Sequence, residues 1–175
     1  TDCELNTDTW AYTYTIEVED FLVNMPANGS STVDCYSDIT TPTPPVVTDN
    51  CGNAITPTGP AIGGSYTTCE GTVTYTWTYT DCELNAHNWV YTYTIEYEPF
   101  AIATPDGSAT VDCYSDVTTP TPPTVYDNCG VLLTASTPVI TGTYTSCEGT
   151  VIYTFTYTDC ELNTDTWAYT YTIEV

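Results

Sequence analysis

The sequence predicts an all-β chain of tandem Ig-like β-sandwich modules, stapled by disulfides and almost without helix. Three observations carry this reading. Thr alternates with Val, Tyr, Trp and Ile in stretches such as "TVTYTWTYT" at 72–80, the period-two signature of a half-buried strand. Segments rich in Gly, Pro, Asn and Ser, "MPANGSS", "TTPTPP", "TDNCGN" and "GPAIGGS", separate such runs, and no apolar stripe recurs at helical spacing. Nine cysteines recur at regular intervals without CxxC pairs or flanking His, which reads as a disulfide framework rather than zinc ligation and places the chain outside the reducing cytoplasm.

The tandem organisation comes from internal repetition. "DCELN" begins at residues 2, 81 and 159, "VDCYSD" at 33 and 111, "DNCG" at 49 and 127, and the "CEGTV" motif has its cysteine at 69 and 147, a period of 78 to 79 residues. From Cys35 to Glu96 and from Cys113 to Glu174 the copies align without a gap and agree at about two thirds of positions. The length difference of one residue falls between these blocks, which puts module boundaries near Glu19 and Glu98. Residues 1–18 then read as the C-terminal strand of a preceding truncated repeat, 19–97 as one Ig-like repeat and 98–175 as the next. With no signal-peptide pattern at "TDCELNTDTW", the chain reads as a mature or internal fragment of a longer array.

Within a repeat, roughly seven short strands are expected. The most regular are 72–80, which places Val73, Tyr75, Trp77 and Tyr79 on one face, and 89–97, which does the same for Trp89, Tyr91, Tyr93 and Ile95. "DCELNAHN" between them reads as a hairpin loop, and the hairpin as the last two strands of a two-sheet sandwich. Tyr75, Trp77, Tyr79, Trp89, Tyr91 and Tyr93 are the expected aromatic core. Thr on the other face stiffens the strand and keeps it soluble. Trp10, Tyr12, Tyr14 and Ile16 repeat the second hairpin strand without its first half, so they are expected in solvent or paired with a neighbouring chain.

Four cysteines per repeat allow three connectivities. The strand at 72–80 carries Cys82 to the end far from the next module, nearly 30 Å away at about 3.3 Å per residue, so pairing is expected to stay inside each repeat. The favoured pairs are Cys51 with Cys69 and Cys35 with Cys82, then Cys129 with Cys147 and Cys113 with Cys160, leaving Cys3 unpaired. Each bridge is worth about 2 to 4 kcal/mol to a domain with a small core.

Composition excludes whole classes of partner. No Lys or Arg stands against 23 Asp and Glu, a formal charge of -23. Nucleic acid and anionic membranes are therefore repelled, and no run of about 20 apolar residues allows direct membrane insertion. The hydrophobic content of 41% is still enough for a folded core.

Enzyme chemistry is not expected. The single histidine, His87, reads as a surface-loop residue and becomes Asp8 or Asp165 in the other copies, so no His-based catalysis is shared by the modules. Asp34 with Asp38, or Asp81 with Glu83, have the residue types of a glycosidase pair, but solvated charges beside a disulfide explain them more simply. Calcium is the one cofactor considered, because hard oxygen ligands are in excess. Glu17, Glu19 and Asp20, and Glu96, Glu98 and Asp106, cluster at the expected junctions, although no DxDxDG loop is present.

The ordered motifs "VDCYSD", "PTPP", "DNCG" and "CEGTVTYTWTYTDCELN" followed by "YTYTIE" resemble the HYR-like, Ig-type repeats of very large surface adhesins in gliding Bacteroidetes, the SprB type in particular. The resemblance covers essentially the whole chain. It implies a sandwich fold, export by the type IX secretion route, attachment at the outer membrane, and service as the shaft of a filament that grips surfaces during gliding. Its partners would be neighbouring repeats of the same polypeptide, together with surface polysaccharide or the outer-membrane motility machinery. The chain departs from such repeats in lacking all Lys and Arg, with Thr74 or Ile152 where an Arg is common. The alternative function is a carbohydrate-binding sandwich module of a secreted protein, for which an exposed aromatic row beside polar groups is required.

Overall fold

The computed structural model describes residues 3–174. Among them there is no α-helix, only three 3-10 turns, at Phe21–Asn24, Tyr36–Asp38 and Tyr114–Asp116. The first module contributes β1 (Gly29–Val33), β2 (Val47–Thr48), β3 (Ala54–Ile55), β4 (Thr58–Gly64), β5 (Gly71–Thr80) and β6 (Ala86–Ile95). The second repeats the series as β7 (Gly107–Val111), β8 (Val125–Tyr126), β9 (Leu132–Leu133), β10 (Val139–Thr141), β11 (Gly149–Thr158) and β12 (Thr164–Ile173). Each module thus holds six strands rather than the seven expected, in a four-stranded sheet of order β1-β6-β5-β4 or β10-β11-β12-β7 and a two-stranded ribbon, β2-β3 or β8-β9.

The long hairpin forms for the reason its alternation implies. In β5 the exposure alternates, with Val73, Tyr75, Trp77 and Tyr79 buried. In β6 Trp89, Tyr93 and Ile95 are buried and Tyr91 is half-buried. In the second module the ribbon supplies Val125 and Leu133 to one core with Val151, Tyr153, Phe155 and Tyr157 of β11 and Trp167, Tyr171 and Ile173 of β12. That is a sandwich of unequal sheets. The buried tyrosine at the end of each long strand keeps its hydroxyl satisfied, Tyr79 donating to the Pro45 carbonyl and Tyr157 to that of Pro123. This ties the proline run to the sheet.

Two features were not legible from alternation. Strand β1 runs parallel to β6, with Gly29 opposite Tyr91 and Val33 opposite Ile95, and β7 repeats this on β12. The hairpin loop is also shorter than expected, because β6 begins at Ala86 and the turn is confined to Asp81–Asn85. His87 therefore lies in a strand and not in a surface loop. It is partly buried, 4.9 Å from the Phe21 ring centroid in an edge-on contact, and its Nε2 is 2.6 Å from Asp20 Oδ1.

By internal contacts the chain forms two compact units, one of Thr1–Asn28, Thr43–Ala61 and Thr76–Val90, the other of Gly29–Pro42, Ile62–Tyr75 and Tyr91–Val175. The dividing line crosses the first module instead of following the repeat boundary. In the first unit residues 5–18 form no strand, and Trp10, Tyr12, Tyr14 and Ile16 are exposed. A single amphipathic β sequence without a partner strand has nowhere to bury its apolar face.

Candidate functional site

The cysteine-bearing loops are the most elaborately held parts of each module. In "DCELN" the Asp81 carboxylate accepts from the backbone N–H groups of Glu83 (3.0 Å) and Asn85 (2.9 Å) and from the Asn85 side-chain amide (2.8 Å). Asp159 does the same with Glu161 and Asn163. In "DNCGN" Asp49 accepts from Cys51, Asn53 and the Asn53 amide, and Asp127 from Cys129 and Val131. One carboxylate thus closes a five-residue turn around each of these cysteines, a local side-chain alternative to strand pairing. The Asn85 amide, then burial acting the other way, then the backbone donors leave the Asp81 carboxyl below its ordinary range, and the Asn53 amide leads the same effect at Asp49.

The other two cysteines of a module sit at strand boundaries. Cys35 precedes the 3-10 turn Tyr36–Asp38, where Asp38 donates its N–H to the Cys35 carbonyl and accepts from the Cys35 N–H at 3.3 Å. Cys69 precedes β5 by a tight turn whose Gly71 has φ +135°, where a Cβ would lie 2.7 Å from the Tyr66 Cα. Only glycine fits there, which is the physical content of the "CEG" motif.

These placements sort the cysteines by end. Cys35 and Cys69 belong to the compact unit that contains the whole second module, whereas Cys51 and Cys82 belong to the other. Strand β5 separates Cys69 from Cys82 with ten residues, about 33 Å of extended chain. The expected pairs Cys51 with Cys69 and Cys35 with Cys82 are therefore not formed, nor are Cys129 with Cys147 and Cys113 with Cys160. The disulfides join successive modules instead: Cys35 to Cys129 with Cα atoms 5.6 Å apart, and Cys69 to Cys160 with Cα atoms 5.8 Å apart. The expectation failed on β1. Because it runs parallel to β6, it delivers Cys35 to the same end as Cys69 and not to the end of Cys82. Cys3, Cys51, Cys82, Cys113 and Cys147 are free and exposed.

Polar contacts surround this junction. The Asn128 side chain donates to the carbonyls of Glu98 (2.8 Å) and Pro99 (3.0 Å), clamping the start of the second module to the loop that bears Cys129. Burial and the Asp127 carboxylate push the Tyr97 hydroxyl above the usual tyrosine range. Beside the second disulfide, Glu70 and Glu161 face each other, and the hydrogen bond to Glu70 raises the Glu161 carboxyl above its ordinary range.

Each module carries its cysteines at the same four register positions, 35, 51, 69 and 82 in the first and 113, 129, 147 and 160 in the second. The chain belongs to the family of HYR-like domains with four cysteines. That family matches residues 23–95 and 101–173. No curated protein matches the chain. Tandem, disulfide-bonded HYR-like domains of this kind suggest an extracellular repeat or adhesion-type module. Domains of this family are typically structural or adhesive and not catalytic.

The remaining candidates are placed as follows. Among the described residues no three His, Cys, Asp or Glu side chains converge as a metal site would require. Glu17, Glu19 and Asp20 are not brought together, and neither are Glu96, Glu98 and Asp106. Asp20 accepts from the Leu22 N–H and bonds His87, and Asp106 accepts from the Ala168 N–H. Asp81, half of a possible acid pair, is buried and occupied by its turn. The sequence carried a signal for the cysteine turns that was not used, an Asp four residues before an Asn around Cys51, Cys82 and Cys160.

Proposed function

We propose that this chain is a stretch of the shaft of a long extracellular cell-surface adhesin filament, of the SprB type, serving surface attachment and gliding motility. The observation that carries the reading is the double disulfide between successive modules. A shaft transmits load along its length, and two covalent links per junction resist separation in a way that a noncovalent domain contact does not. The burial of Trp77, Tyr79, Trp89 and Tyr93 supports it too, since the hairpin then serves as core and not as a gripping face. On this reading the filament leaves the cell by the type IX route, is held at the outer membrane by the motility machinery, and meets surface polysaccharide elsewhere along its length. Calcium has no assigned place in it.

Imaging of producing cells by negative stain, with an antibody raised against residues 98–175, tests the proposal. Long thin fibres labelled at regular spacing are the expected result, and a short protein with only a few copies of the module would overturn it.

The carbohydrate-binding alternative keeps one observation in its favour. Tyr36 stacks on Tyr66 at 4.8 Å and Tyr114 on Tyr144 at 4.5 Å, and Tyr36 and Tyr114 remain exposed, offering ring surface to a sugar. Binding of the 175-residue chain to a glycan array, lost in a Tyr36→Ala/Tyr114→Ala variant, would favour that reading over the shaft.

A further inference from the structure

The five free cysteines are not scattered. In repeat register Cys35 and Cys113 are the first cysteine of a module, Cys51 and Cys129 the second, Cys69 and Cys147 the third, Cys82 and Cys160 the fourth. The two bonds observed join the first cysteine of one module to the second of the next, and the third of one to the fourth of the next. Applying the same rule once in each direction uses every remaining cysteine without a clash. Cys51 and Cys82 lack the first and third cysteines of a module before them. Cys113 and Cys147 lack the second and fourth of a module after them. Cys3, which opens a further "DCELN" and so is a fourth cysteine, lacks a third.

We propose that each of these exposed pairs is a half-formed staple, a docking end that takes another four-cysteine module and closes on it with two disulfides. The partner is fixed by chemistry and spacing. It must present two thiols at the separation of Cys129 and Cys160, with turns shaped as Asp127 and Asp159 shape theirs. Continuity with the junction already formed supports the commitment, since the 3-10 turn that presents Cys113 and the tight turn that presents Cys147 repeat those of Cys35 and Cys69. Each bond forms by thiol–disulfide exchange. One cysteine thiolate attacks a donor disulfide, the second attacks the resulting mixed disulfide, and the donor leaves reduced with two electrons and two protons.

The connectivity has a mechanical meaning. The shortest covalent route through an internal module enters at its fourth cysteine and leaves at its third, along a single strand equivalent to β5 that is already extended. Thirteen residues, about 45 Å of chain, would bridge each module however strongly it is pulled, against about 270 Å for all 78 residues. This inference rests on the cysteine register and would stand if the filament belonged to a protein that is not an adhesin.

The test is the full chain extended in frame by one more copy of residues 98–175, refolded with oxidised glutathione as the donor. Free thiols are alkylated and the product is digested with pepsin, because no trypsin site exists, and mapped by mass spectrometry. In the 175-residue chain five cysteines should carry label. In the extended chain Cys113 and Cys147 should lose it and appear cross-linked to the second and fourth cysteines of the added copy, so that the number of labelled cysteines stays at five. Label retained at Cys113 and Cys147, or a bond from either to a cysteine of its own module, overturns the proposal. A Cys113→Ser/Cys147→Ser variant of the extended chain provides the control for folding. With the Cys35–Cys129 and Cys69–Cys160 bonds intact it should carry seven labelled cysteines, Cys3, Cys51, Cys82 and all four of the added module; bonds inside that module would count against the register.

Discussion

Glu161 faces Glu70 beside the Cys69–Cys160 bond, and its carboxyl is raised chiefly by the hydrogen bond the two share. A raised carboxyl favours the folded state while it is protonated, so this contribution is complete below the ordinary carboxylate pKa and is lost as pH rises through the folded value. Above that value the charge on Glu161 lies against Glu70 beside the staple and no longer favours the fold. Glu161→Gln should therefore raise the melting temperature at pH 7 and leave it nearly unchanged near pH 3, as scanning calorimetry at the two pH values would show. Leu84 is a second residue under strain. It takes φ 70°, as Leu162 takes 68°, in the same turn, and its side chain is 81% exposed, so nothing in the fold compensates it. Leu84→Gly should stabilise the chain by about 1 kcal/mol, read from denaturant midpoints.

Among the strands, the long hairpin distinguishes two kinds of tryptophan. Trp89 and Trp167 each donate an indole N–H to a backbone carbonyl, of Ala27 and of Pro105, both at 2.8 Å. Position 77 is Trp in the first module and Phe155 in the second, so what it requires is an aromatic volume. Trp77→Phe should cost under about 1.5 kcal/mol. Trp89→Phe leaves the Ala27 carbonyl without its donor and should cost about 1 to 3 kcal/mol more than the packing change alone. Denaturant unfolding of the two variants side by side checks the order, and equal losses would refute it. The same elements show what alternation can reveal. Periodicity of two placed Val73, Tyr75, Trp77 and Tyr79 on one face because side-chain direction in a strand is a local property. Strand β1, "GSSTV", has little apolar pattern of its own, and nothing local distinguishes parallel from antiparallel pairing with β6.

At the scale of the whole chain, the bond between Cys35 and Cys129 closes 94 residues. Pulled by its termini under oxidising conditions, the chain cannot release that segment. Adding reductant should lengthen the fully extended molecule by about 330 Å in single-molecule force measurements. An unchanged contour length would mean that the staples are absent in solution. The same reduction should lower thermal stability, because loops of 94 and 91 residues are worth about 4.6 kcal/mol each when closed alone.

The sequence by itself determined the β class, the repeat and its register, the aromatic face of the hairpin and the uniformly acidic charge. All of these depend on local alternation, on copies that can be aligned, or on charge that can be counted. Only the tertiary structure decided which cysteine meets which. That outcome turns on the end of the module to which each chain segment is delivered, and the deciding segment was five residues of β1 running parallel to β6. A strand of that length carries no direction in its side chains, since its hydrogen bonds to a distant partner set it. Reversing it in thought returns Cys35 to the end of Cys82 and gives the pairing expected within a module. With its actual direction the cysteines face outward to their neighbours, and two modules become one covalent piece.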